Sequence, residues 1–280
     1  MWAEYKNALR KMKGAIIGWS VGLFSYTVLM AALFPMMITQ MGEQYLEMIE
    51  IVPKEFLAFF PNISQFLSPV GFVDTYFFSM MVVVIPILTI GQGAKLLVRD
   101  EEEGTLDLVM SYPLSRTQLF WARVGAYLDG VVLVLAASFL GWVIPDKSEA
   151  WTMTVGELLQ AYLPLLAIVL VFGMLAFFLS LLLPSFKAAS GLVGALLIAN
   201  YLLLGISNIR EELQTLYKYT PMKYYQGGLA VQDFNWEWFL GLLGVAILFT
   251  LLAWLLFERR DLRVGGEAGW ELLGWLKKKS

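Results

Sequence analysis

Neither cysteine nor histidine occurs among the 280 residues. Without cysteine there is no disulfide, no thiolate chemistry and no cysteine-based metal site. Without histidine the commonest metal ligand, and the side chain that titrates near neutrality, are also missing. Charge is scarce, since Asp, Glu, Lys and Arg make up 15% of the chain against about 25% in a typical soluble domain. No Gly-x-x-x-x-Gly-Lys-Ser/Thr occurs, and Gly91-Gln92-Gly93-Ala94 does not replace it, so the chain has no P-loop to cradle ATP phosphates. No Gly/Ser-rich linker or long polar segment sets off a second soluble domain. These absences leave little from which to build an active site: the chain is not expected to be an enzyme, and catalytic, cofactor and metal residues are all expected to be none.

What is present is apolar surface. The chain is 59% hydrophobic with a mean hydropathy of +0.67, and a bilayer-spanning helix needs roughly 20 mostly apolar residues. Six stretches qualify, about 14–39, 70–98, 119–144, 157–183, 187–208 and 236–257. The expected fold is an all-α membrane protein with six transmembrane helices in one transmembrane domain over residues 1–280. The first run ends on Phe34-Pro35-Met36-Met37 without a small-residue cleavage pattern and is expected to be kept as a span.

Lys and Arg gather on one side. Fifteen of the 20 lie in the N-terminal segment (Lys6, Arg10, Lys11, Lys13), around the second loop (Lys95, Arg99, Arg116, Arg123), at Lys187 and in the tail after the sixth span. Only Lys54, Lys147, Arg210, Lys218 and Lys223 fall on the other side. The positive-inside rule then places both termini in the cytoplasm. The net charge of −3 reflects acidic residues on the opposite side rather than any affinity for basic partners, and nothing points to nucleic acid.

Trp2, Tyr5, Ala8, Leu9 and Met12 share a helical face among basic residues, which predicts an N-terminal interfacial helix over 1–13 along the inner membrane lipid. Gly14, Gly18 and Gly22 repeat every fourth residue, and Gly191 and Gly194 stand among small residues of the fifth span. Such faces let helices approach closely, either across a protomer interface or inside one bundle. Pro86 and Pro164 predict kinks, and Asp129 and Asn200 are the polar span residues expected to face protein. The loops 40–69 and 209–235, punctuated by Pro53, Pro61, Pro69 and Pro221, hold only short helices and are read as caps over one end of the bundle or as connectors.

The most informative stretch is the charged island Arg99-Asp100-Glu101-Glu102-Glu103-Gly104-Thr105-Leu106-Asp107-Leu108-Val109-Met110-Ser111-Tyr112-Pro113-Leu114-Ser115-Arg116 between two apolar runs. Gly104 should break the helix, Thr105 should cap a short helix with Leu106, Val109 and Met110 on one edge, and Pro113 should stop it. Ser115 with Gln118 has the form of a capping box that opens the third span.

Glu-x-Gly-Thr-Leu-Asp-x-Val followed by Pro-Leu-Ser-Arg resembles the loop between the second and third spans of type 2 ABC transporter permeases. Phe257-Glu258-Arg259-Arg260-Asp261-Leu262 resembles the basic segment that follows the sixth span in that family. The layout agrees over nearly the whole chain. The resemblance implies a coupling helix that docks on a separate nucleotide-binding subunit, with Glu101, Glu102, Glu103, Gly104, Thr105, Leu106, Asp107, Val109, Met110, Pro113, Ser115 and Arg116 as the contact residues. It also implies ATP and Mg bound by that P-loop ATPase subunit, a second permease protomer, and a place in the cell membrane of a prokaryote as part of an exporter. Family members often carry Lys early in the third span where this chain has Arg123. From the residues alone, an ion-coupled secondary transporter and a non-transporting membrane scaffold or assembly subunit stay open, and the cargo is not specified.

Overall fold

Long apolar helices are expected here because each satisfies its own backbone hydrogen bonds, a requirement wherever water is absent. The computed structural model describes residues 1–60, 65, 67–105, 114–145, 149 and 151–259, the side chains of 38–50 and 54 excepted. Among the described residues six helices are long and apolar enough to cross a membrane: Trp2–Met37, Pro69–Lys95, Arg116–Val143, Val155–Leu182, Phe186–Ser207 and Trp236–Arg259. They are spans 1 to 6.

Span 1 differs from the expected layout. Its helix runs without a break from Trp2 to Ile51, about 75 Å at 1.5 Å per residue. Residues 1–13 are therefore not a separate interfacial helix but the first turns of span 1. The physical reason is a face that continues across Lys13 and Gly14: Glu4, Ala8, Met12, Leu23, Thr27, Ala31 and Phe34 are all buried, in steps of three, four or eleven residues that keep to one side of a helix. That side lies along span 3, so packing holds the first turns in line with the rest.

Spans 2 and 4 form the centre, each with 67% of its apolar window buried inside the protein, against 17% for span 1 and 22% for spans 5 and 6. Span 4 packs on spans 2, 5 and 6, and span 1 reaches the bundle through span 3. Spans 2 and 4 come close because both contacting residues are glycines: a Cβ on Gly93 would stand 2.3 Å from the Gly173 carbonyl oxygen. Just above, Thr89 Oγ1 donates to the Val169 carbonyl of span 4 at 3.0 Å, and the Tyr127 hydroxyl of span 3 donates to the Thr89 carbonyl at 3.2 Å. Three spans are thus tied at one level by hydrogen bonds made in a dry core. Pro86 and Pro164 sit inside helices that continue past them, and the irregular turn of span 2 lies further upstream, a π-helical segment Asp74–Phe78.

The two polar span residues differ in placement. Asp129 is exposed on span 3 and accepts from the Tyr5 hydroxyl. Asn200 Nδ2 donates to the Leu196 carbonyl of its own helix at 2.7 Å, while its Oδ1 is buried with no hydrogen-bond partner among the described residues. At the end of the bundle away from residues 1–13, the loop after span 5 folds back as short helices Glu211–Leu213, Gln214–Tyr217, Pro221–Tyr224 and Gly227–Val231. Met222, Gly227, Gly228 and Ala230 are buried there, and the last segment packs on span 4.

Candidate coupling site

Span 2 ends at Lys95, and after a two-residue bend the chain enters a short helix, Val98–Glu102, with Val98, Asp100 and Glu101 buried. Its C-terminus closes through glycine. Gly104 has φ +67°, a left-handed conformation that costs other residues roughly 1–2 kcal/mol. The Thr105 amide donates to the Asp100 carbonyl at 2.9 Å and the Gly104 amide to the Glu101 carbonyl at 3.1 Å, the paired bonds of a Schellman cap. The expected break at Gly104 is thus present. Thr105 closes the helix behind it, since its hydroxyl also donates to the Asp100 carbonyl, at 3.4 Å.

Leu106, Asp107, Val109, Met110 and Pro113 lie outside the described residues. The chain is described again from Leu114, and the capping box at Ser115 is present: Ser115 Oγ accepts from the Gln118 amide at 3.1 Å and Gln118 Oε1 from the Ser115 amide at 3.3 Å. Span 3 starts at Arg116, as the motif predicts.

A cluster of buried charge ties this helix to the bundle. Arg123, seven residues into span 3 and 3% exposed, donates to Asp100 Oδ2 at 2.6 Å, to Glu4 Oε1 at 2.9 Å and to the Leu96 carbonyl at 2.7 Å. Lys11 Nζ reaches both oxygens of Asp100, at 2.7 and 2.9 Å. Two carboxylates thus face two cations, which is how charges are tolerated away from water. Burial pushes the Asp100 carboxyl up, but Arg123 and Lys11 together outweigh it and hold the group below the ordinary carboxylate range. Spans 1 and 3 meet on one aspartate of the short helix that follows span 2.

Two further contacts reach the remaining peripheral spans. Glu102 Oε1 accepts from the Phe186 amide at 2.8 Å, at the first residue of span 5, where a carboxylate also favours the helix dipole. At the start of span 3, Arg116 Nη1 lies 3.4 Å from the Phe257 and Glu258 carbonyls, and Thr117 Oγ1 donates to Glu258 Oε1 at 2.6 Å. The second stretch singled out in the sequence, at the end of span 6, is therefore in contact with the first.

Of the three glutamates expected on a docking face, Glu102 and Glu103 are exposed and Glu101 is not, at 4% exposure. Val98–Glu102 is a helix of five residues packed on the bundle, so one of three consecutive glutamates must point inward. Glu103 forms a surface pair with Arg99 at 2.7 Å. Among the described residues, Gly14, Gly18, Gly22, Gly191 and Gly194 have no atom of a neighbouring element within 4 Å of where a Cβ would stand, so they do not make the close helix packing seen at Gly93 and Gly173.

Sequence reasoning missed the role of Glu4, Lys11 and Asp100 and noted Arg123 only as a departure from the family pattern. The available signal was Arg123 itself: an ionisable residue inside an apolar span requires a partner, although nothing local says that the partners lie 119 and 23 residues away.

A comparison with curated proteins gave no match. A family model matches residues 7–258, and its description is the C-terminal domain of the multidrug efflux system permease Rv1217c. The match runs from the first turns of span 1 to the end of span 6 and is consistent with an ABC-type permease, as the loop motifs imply. With six apolar helices behind it, the chain belongs to this multidrug efflux permease family and is a multi-pass membrane protein of a transport complex.

Proposed function

We propose that the chain is the membrane subunit of an ATP-driven exporter. A separate P-loop ATPase, carrying ATP and Mg, docks on the loop 99–116, and its closure moves the spans. The observation that carries this reading is the anchoring of the loop. Asp100 is bonded to spans 1 and 3, Glu102 to the start of span 5, and Arg116 and Thr117 to the end of span 6. A force applied at the two ends of this loop is therefore delivered to spans 1, 3, 5 and 6. On this reading the end of the bundle with residues 1–13 and the loop is cytoplasmic, in a prokaryotic cell membrane, and the loop after span 5 caps the outer end.

A single six-span unit forms half of the pathway, completed by a second copy or a related permease. The open faces with Gly14, Gly18 and Gly22 on span 1 and Gly191 and Gly194 on span 5 are its contact surfaces.

The test is affinity purification of the tagged chain from native membranes in mild detergent, with partners identified by mass spectrometry, repeated for Glu103→Lys and Leu106→Asp. Glu103 is exposed and its pair with Arg99 is a surface pair, worth about 0–1 kcal/mol, so the first substitution leaves the fold intact. A P-loop ATPase that accompanies the parent chain and is lost with either variant supports the reading. Recovery of the parent chain without any ATPase overturns it and favours an ion-coupled transporter.

A further inference from the structure

The end of the bundle opposite the loop holds a cavity of about 520 Å³ between span 2, span 5, the start of span 6 and the folded loop before it. That volume falls in the range of about 300–1,000 Å³ usual for small-molecule sites. Five aromatic rings wall it, those of Phe59, Tyr201, Tyr217, Tyr225 and Trp238. Asp74, on the π-helical turn of span 2, lines the cavity and is 3% exposed. Its Oδ1 accepts from the Gly228 amide at 2.6 Å, and a Cβ on Gly228 would stand 2.5 Å from the Asp74 Cβ. The loop backbone is thus drawn against the carboxylate and fixes it in the wall.

The charges of the lining favour one sign. Asp74 and Asp233 are acidic, and Lys223 is the one basic lining residue among the described residues. The Lys223 ammonium is already engaged by rings, at 5.9 Å from the centre of Tyr217 and 5.6 Å from that of Trp238. Burial, and then the charge of Asp74, push the Tyr225 hydroxyl well above its ordinary range, as expected where a negative charge is poorly screened. Tyr225 uses its proton on the Phe78 carbonyl at 3.0 Å, so it presents its ring. Aromatic faces attract cations, and more strongly when the cation is desolvated.

The geometry points to a binding site for a bulky hydrophobic organic cation, its apolar groups against the five rings and its charge facing Asp74. This names a cargo class for the transport reading, on which its biological sense rests, but the binding itself needs no ATPase.

The test uses the full chain in phosphatidylcholine nanodiscs and radiolabelled tetraphenylphosphonium, with tetraphenylborate as an anion of the same shape. Saturable binding of one cation per chain, displaced by unlabelled cation and not shown by the borate, is expected. Asp74→Asn keeps an oxygen for the Gly228 amide and should weaken the cation about tenfold, the loss of one charge attraction in a partly buried setting. Lys223→Met should tighten it, and Trp238→Ala should weaken it. If Asp74→Asn fails to give a monodisperse protein, the opposite effects of Lys223→Met and Trp238→Ala decide the matter. Absence of saturable binding to the parent chain, equal binding of cation and anion, or affinities unmoved by the substitutions would overturn the assignment. Glu103→Lys should leave this binding unchanged, so failure of the ATPase reading and failure of the site are read separately.

Discussion

Replacing Arg123 by methionine removes one guanidinium and three hydrogen bonds, to Glu4, Asp100 and the Leu96 carbonyl, with little change in side-chain bulk. The side chains of Arg123, Glu4 and Asp100 are 4%, 7% and 3% exposed, so the carboxylates cannot turn to water. Removing one partner of a buried pair costs about 3–5 kcal/mol, because the other charge stays buried alone. Asp100 keeps Lys11 at 2.7 Å, which places the cost near the lower end. About 3 kcal/mol, or roughly two decades in the folding equilibrium, is therefore expected. The triple variant Glu4→Gln, Asp100→Asn, Arg123→Met carries none of the stranded charges and should recover about 2 kcal/mol of that loss. Arg123→Lys should fall between parent and Arg123→Met, since a point charge cannot serve two carboxylates and a carbonyl as a planar fork does. The assay is reversible unfolding in mixed micelles by added dodecyl sulfate, followed by far-ultraviolet circular dichroism. A cost below about 1 kcal/mol, the range of surface pairs, or a triple variant no more stable than Arg123→Met, would refute the account of buried charge.

Gly93→Ala should destabilise by at least about 1–3 kcal/mol, the range for overpacking, because its Cβ would meet the Gly173 carbonyl at 2.3 Å. Gly91→Ala, with nothing within 4 Å, should be neutral or stabilising by up to about 1 kcal/mol from helix propensity, and the same unfolding assay separates the two. Gly104→Ala should cost roughly 1–2 kcal/mol at φ +67°, with Gly104→Asn milder, since asparagine tolerates that conformation, and hydrogen exchange at residues 98–105 should report the loosened cap. The folded pKa of Asp100 is lowered from an unfolded value of about 3.9. Its ionised form therefore contributes stability that is fully present above about pH 4 and is lost as pH falls through the folded value. Acid unfolding should steepen below about pH 4 for the parent chain and less so for Asp100→Asn.

The class of the protein and the start of span 3 were legible because they depend on local sequence. Runs of roughly 20 apolar residues mean a span in any context, and the capping box at Ser115 and Gln118 and the glycine at 104 act within four or five residues of chain. The motif of the loop 99–116 pointed to a permease before any fold was known.

Other features were decided only by the tertiary structure. Amphipathic spacing over residues 1–13 fits a surface helix as well as a helix packed on a neighbour, and the contacts of Glu4 with Arg123, Lys11 with Asp100 and Tyr5 with Asp129 distinguish them. Three consecutive glutamates read alike in sequence, yet Glu101 points inward, Glu102 holds the start of span 5 and Glu103 faces out. The charge cluster on Asp100 joins residues of spans 1 and 3 to the short helix after span 2, and the wall of the far cavity joins Asp74 to a loop some 150 residues later. Hydrophobicity and backbone caps are properties of neighbouring residues and so are written in the chain. Pairing of buried charges and the walls of a cavity depend on which helix faces lie together, and that is fixed only when the six spans pack.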